Sequence, residues 1–300
     1  MLGAVLLVSG CETTATTPAR RDLIGPIGAI PDPAGSGACQ QVAWSPDSRW
    51  LACYGFYGFD GDRPTVRRTL LVDAENGQIA QTLEDVMSAS FAPDGERIVF
   101  ALLRENNRDL YTSALDGSER RRLTDEPSDD LMPAWSPAGD RIAFCSNRHG
   151  KRRIYTMRPD GSDVQQITHA DAADYNPEWN FDGTRICFYR EVGDGLDQIY
   201  TVRPDGTDLE CVTRGEHHNI YPAFSRDGRL LFKRSEKGAD DGALIVFDPE
   251  NGASIVLTTR AHIARQSPDG RRLAFVASGF RKNAVYVSNS DGTGLRKLVE

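Results

Sequence analysis

One unit repeated six times governs what this 300-residue chain can fold into. In its fullest copy, Met132 to Thr168, the run Pro133-Ala134-Trp135 leads into the turn Ser136-Pro137-Ala138-Gly139. Arg141 to Cys145 and Arg153 to Met157 then alternate as strands, the turn Asp160-Gly161 follows, and Val164 to Thr168 makes a fourth short run. The first turn recurs after Trp44, Phe91, Trp179, Phe224 and Gln266, so the copies stand 42 to 47 residues apart. The second turn recurs as Asn76-Gly77, Asp116-Gly117, Asp205-Gly206, Asn251-Gly252 and Asp291-Gly292. Four short strands leave one sheet face in water unless a neighbour covers it. A four-strand unit of this period, repeated six times, predicts an all-β, six-bladed β-propeller of four-stranded antiparallel blades over residues 39–300.

The repeated residues follow from turn chemistry. Proline presets φ, aspartate bonds its own backbone, and glycine takes the left-handed position before the next strand. The aromatic ahead of each turn is expected to fill the wedge between adjacent blades. No N-terminal strand is evidently lent to the last blade, so side-chain packing alone is expected to close the ring. Blade one departs from the pattern. Tyr54-Gly55-Phe56-Tyr57-Gly58-Phe59 reads as a glycine-rich loop between second and third strands, with its aromatics either on a binding rim or folded back onto the next blade.

Ahead of the repeats, Leu2 to Val8 is an apolar run too short to span a bilayer but suited to a signal-peptide core. It ends in Val8-Ser9-Gly10-Cys11, which resembles the lipobox of bacterial lipoproteins, and a polar tether follows. We therefore expect a signal peptide at 1–10, lipid on Cys11 and a tether over 11–38. Two or more acyl chains would give stable anchoring. Glu12 after the cysteine favours the outer membrane by the habit of that class. Five cysteines remain, an odd number. Cys39 and Cys53 flank the first turn at spacings that allow a cross-strand disulfide, whereas Cys145, Cys187 and Cys211 read as small buried hydrophobes. A net charge of −8 argues against a general nucleic-acid binder.

Blade three carries Pro133, Trp135, Ser136, Pro137, Gly139, Ile142, Ala143, Phe144, Ser146, Arg148, Ile154, Tyr155, Asp160, Gly161, Ser162, Ile167 and Thr168. That pattern resembles the propeller repeat of the TolB family, periplasmic proteins of the Tol–Pal system. Blade four keeps Pro177, Trp179, Gly183, Ile186, Phe188, Ile199, Tyr200, Asp205, Gly206 and Thr213. The resemblance covers residues 39–300 and is specific for fold more than for function. It implies a monomeric, periplasmic, non-catalytic scaffold for an envelope protein or peptide. We expect only a linker, over 11–38, where the family has an α/β domain.

No Gly-x-Ser-x-Gly elbow or phosphate-binding loop is present, and no cofactor is called for. His217, His218 and His262 lie on loops leading into blades five and six. They carry the alternative reading, a carbohydrate-active or glycan-binding propeller with a metal at the channel mouth. Asp130, Asp174 and Asn219 occupy equivalent positions five residues before the aromatic. They read as a ring for calcium or a basic peptide, or as turn caps. Arg148 and Arg190 read as members of blade-to-blade ion pairs or as ligand contacts on a rim alongside Tyr54, Phe56, Tyr57 and Phe59. Replacing Cys11 with Ser is expected to move the protein from the membrane to the soluble fraction; unchanged membrane association refutes lipidation.

Overall fold

The computed structural model describes Ile27 and residues 37–60, 63–104, 107–239, 242–279 and 282–299, without the side chains of 37–38, 57–60, 63–65, 278–279 and 282. The expected signal peptide, Cys11 and most of the tether lie outside these. Blade one comprises β1 (Gly37–Trp44), β2 (Trp50–Asp60), β3 (Arg63–Asp73) and β4 (Ile79–Glu84). Blade two comprises β5 (Val86–Phe91), β6 (Arg97–Arg104), β7 (Asn107–Ala114) and β8 (Arg121–Arg122). Blade three has β9 (Asp130–Trp135), β10 (Ile142–Ser146), β11 (Arg153–Met157) and β12 (Gln165–Gln166). Blade four has β13 (Asp174–Trp179), β14 (Ile186–Gly193), β15 (Leu196–Val202) and β16 (Glu210–Cys211). Blade five has β17 (His218–Phe224), β18 (Leu230–Ser235), β19 (Ala243–Phe247) and β20 (Ser254–Thr259). Blade six has β21 (Ala261–Gln266), β22 (Arg272–Gly279), β23 (Lys282–Asn289) and β24 (Arg296–Val299). Each blade is an antiparallel meander. The first strands touch in succession from β1 to β5, β9, β13, β17, β21 and back to β1, so they line the channel.

The wedge residues behave as the repeat predicts. Trp135 shares a buried cluster with Met87, Val99 and Leu110 of blade two. Trp179 packs on blade three, Phe224 on blade four, Phe91 on blade one and Trp44 on blade six. Indole N–H groups bind backward as well: Trp179 Nε1 donates to Ala134 O at 3.1 Å and Trp44 Nε1 to Arg265 O at 2.9 Å. A blade therefore buries its inner face only by leaning on the one before it. The hairpin turns also touch. Gly139 sits at φ 77°, and a Cβ there would lie 2.9 Å from Pro93 Cγ of the preceding turn. Glycine is needed for both reasons.

Three expectations are corrected. Blade one's aromatic stretch is not a loop: β2 and β3 run on as one hairpin, pairing Tyr54 with Thr69, Phe56 with Arg67, Tyr57 with Val66 and Phe59 with Pro64. The aromatics at 54 and 56, and again at 57 and 59, stand two residues apart, the spacing of a pleat, despite the glycines. Cys39 and Cys53 are free buried thiols. A bulge between Cys39 and Gln41 slips the register, so Cys39 faces Gly55 and Cys53 faces Val42. A hydrogen bond to Cys39, together with burial, holds the Cys53 thiol well above its usual range. Ring closure also uses backbone. β1 meets β23 in a parallel bridge at Ala38–Asn283, and Asn283 Nδ2 donates to Cys39 O at 3.0 Å. Ile27 is buried among blade-five and blade-six residues and donates its N–H to Leu257 O at 2.8 Å.

The inner strands of blades two to five share a bulge. Ser88, Met132, Asn176 and Tyr221, each three residues before the aromatic, have φ between 53° and 57°, beside register shifts in those strands. A left-handed non-glycine residue costs about 1–3 kcal/mol, and the bulge bends each strand along the channel. In blades one and six the shift falls earlier.

Because Trp135 is 7% exposed and fills the seam between blades two and three, Trp135→Ala is expected to lose about 3–5 kcal/mol and lower Tm by roughly 10 °C. Thermal unfolding followed by near-UV circular dichroism checks this.

Candidate functional site: the two ends of the channel

The inner strands run from a face of connecting loops to a face of hairpin turns, and the sequence-predicted residues sit at the loop end. Asp130 and Asp174 are fully buried. Arg148 Nη2 donates to both oxygens of Asp130 at 3.2 and 3.1 Å. Arg190 forks onto Asp174 through Nε at 2.6 Å and Nη2 at 2.9 Å. In blade five Arg234 Nε donates to Asn219 Oδ1 at 3.0 Å, and Asn219 Nδ2 donates to Gln198 Oε1 at 2.9 Å. Each guanidinium also covers a ring of its second strand: Arg148 over Phe144, Arg190 over Phe188 and Arg234 over Phe232, all at 5.4 Å. The same device thus recurs in three blades, a buried oxygen at the start of the first strand held by an arginine near or just past the end of the second, so the Arg148 and Arg190 ion pairs form within a blade and not from blade to blade. Removing one member leaves the other buried and unpaired, which costs about 3–5 kcal/mol where both are charged.

The histidines are spread over the same face. His217 Nε2 lies 3.3 Å from Glu236, and His218 Nε2 lies 3.2 Å from Asp197 across the seam between blades four and five. Burial pushes the Asp197 carboxyl up, His218 pulls it down and Glu191 adds to the rise. His262 is largely buried, with its Nε2 3.5 Å from Asn283 Nδ2. Burial, and then the charge of Lys233, lowers it to about 4. Among the described residues no three His, Cys, Asp or Glu side chains gather as a metal-ligand group. Tyr54 and Phe56 lie ring to ring at 6.0 Å, with Tyr54 packed on the cluster that holds Met87 and Leu110. The side chains of Tyr57 and Phe59 lie outside the described residues.

The open cavity is at the other end. A recess of 420 Å³ is enclosed by the hairpin turns, with Pro46, Pro93, Pro137, Phe181, Arg226 and Pro268 at its rim and Trp44, Phe91, Trp135, Trp179 and Phe224 on its walls. Its size falls at the low end of small-ligand pockets. Ala43, Ser90, Glu178 and Arg265, each one residue before the wedge position, line it as well. Arg265 donates to Glu178 Oε1 through Nε at 3.1 Å and Nη2 at 2.6 Å, and its Nη1 to Ala264 O at 3.0 Å. Blade five stands between these two blades, so the pair reaches across the channel. Sequence reasoning missed it. The readable signal was that this position is Ala43, Ser90, Ala134 and Ala223 in four blades and charged, with opposite signs, only in blades four and six.

His262 gives a pH test of the loop end. Its folded value of about 4 lies below the ordinary 6.5, so its contribution is complete above pH 6.5 and is lost as pH falls towards 4. Over that window the unfolded chain takes the proton first, and the protein is expected to lose roughly 3 kcal/mol that a His262→Gln variant does not lose. Urea midpoints across the pH range check this.

The comparisons agree with this architecture. No curated protein sequence matches the chain. The solved TolB-type protein of Agrobacterium tumefaciens is 19% identical, with a TM-score of 0.64 over 87% of this chain and 91% of that one. TolB of Acinetobacter baumannii is 18% identical, with a TM-score of 0.66 over 90% of this chain and 65% of that one. An oligogalacturonate lyase solved with manganese reaches 0.60 at 14% identity, over 88% and 78% of the two chains. These likenesses are of fold. The sequence model of the TolB beta propeller domain matches residues 39–194 and 133–300. Six four-stranded blades, one wedge residue per turn and a match over the whole ring together make this chain a member of the TolB beta propeller domain family.

Proposed function

We propose that the protein is a non-catalytic scaffold of the cell envelope, held to the periplasmic side of the outer membrane by lipid on Cys11, and that it binds a protein or peptide partner at the hairpin end of its channel. The observation that carries this is the 420 Å³ recess walled by residues from every blade. It is open, and six aromatic rings and five prolines share its walls with polar groups, a surface that gains from burying a partly apolar segment. The loop end lacks this quality, since Asp130, Asp174 and Asn219 already bond arginines of their own blades. Membership of the TolB propeller family supports a partner-binding role, and the rigid ring with exchangeable loops suits one.

Ala43 lines the recess without being sealed off from it, so Ala43→Arg is expected to plug the mouth. Peptides selected from a random library on the wild-type protein are expected to bind this variant at least about tenfold more weakly, a difference of roughly 1.4 kcal/mol. Isothermal titration, with Tm confirming an intact fold, reads the result. Equal binding to both proteins places the partner site elsewhere.

A further inference from the structure

We propose that the hairpin-end recess selects an uncharged peptide side chain ended by an O–H or N–H, and that Glu178 accepts that donor while remaining paired with Arg265. This rests on reading the recess as the binding site. Both bonds from Arg265 end on Glu178 Oε1, and no described residue donates to Oε2. The two partners are also unequally buried. The Glu178 side chain is 26% exposed and that of Arg265 only 8%, so the carboxylate is the member that faces the recess.

Charge then decides what can sit there. The pair is self-neutralised and lines the recess beside aromatic rings and prolines. A ligand cation at Oε2 would add an uncompensated charge to the pair, and a ligand anion would face the carboxylate itself. Either would shed its own hydration at a pair whose charges already cancel, and Arg226 at the rim adds repulsion for a cation, so the desolvation is not repaid. A neutral donor meets neither obstacle. It uses the free oxygen, leaves the pair intact, and gains about tenfold or more from a hydrogen bond to a charged acceptor. The apolar remainder of such a side chain suits the rings and prolines above.

Four small probes test this on the purified wild-type protein: phenol, anisole (the same ring with its donor capped), benzylamine and benzoate. Binding is read from the indole N–H signals of Trp44, Trp135 and Trp179 by NMR. Phenol is expected to bind at least about tenfold more tightly than anisole, with both charged probes weaker than either. The double variant Glu178→Met, Arg265→Met removes the acceptor without stranding a charge, and there phenol and anisole are expected to bind alike. The proposal is overturned by equal binding of phenol and anisole to wild type, by tightest binding of a charged probe, by phenol preference surviving in the double variant, or by no shift of the mouth tryptophans. The wild-type ratios decide the matter even if the double variant fails to fold. Library peptides that respond to Ala43→Arg without a phenol preference sink this inference alone; peptides indifferent to Ala43→Arg sink the reading beneath it.

Discussion

Everything in this protein depends on each blade covering the exposed face of the one before it. A four-stranded sheet with two-residue outer strands, as in blades two, three and four, has too little area to hold itself together. The wedge residue supplies the missing contact, and its indole N–H, in Trp44 and Trp179, ties it to the backbone of the preceding blade. Six such steps must close without a gap. The last step is reinforced by Arg272 stacked 5.0 Å over Trp44 and by the Ala38–Asn283 bridge, while Ile27 adds to the seam of blades five and six.

Closure by repetition has a consequence for function. Residues that recur in every blade are committed to turns and wedges, so a specific activity has to come from positions where the copies differ. The loop end differs less than its sequence suggests: Asp130–Arg148, Asp174–Arg190 and Asn219–Arg234 are one structural device in three variants. The sharper difference is at the hairpin end. There a position held by small residues in four blades becomes Glu178 and Arg265 in the other two, and the resulting pair lines the recess.

The parts of this arrangement that were legible in the sequence are the local ones. Turn residues, the alternation of Arg153 to Met157 and the wedge aromatics act within a few residues of themselves, so six copies revealed them. Blade one's hairpin was misread because glycine between aromatics resembles a loop until Tyr54 and Phe56 are seen paired with Thr69 and Arg67. The Cys39–Cys53 expectation failed on a one-residue bulge, which no spacing rule anticipates. The buried state of Asp130 and Asp174 depends on which side of the strand each occupies. Glu178 and Arg265 are 87 residues apart, and only closure of the ring makes them neighbours.

The central claim is that partners are recognised at the hairpin end of the channel. Amide hydrogen exchange on the protein with and without a bound library peptide tests it most directly. The account predicts added protection in the turns after Trp44, Phe91, Trp135 and Trp179, and little change in the loops leading into Asp130, Asp174 and Asn219. Protection confined to those loops, with the hairpin turns unchanged, contradicts it.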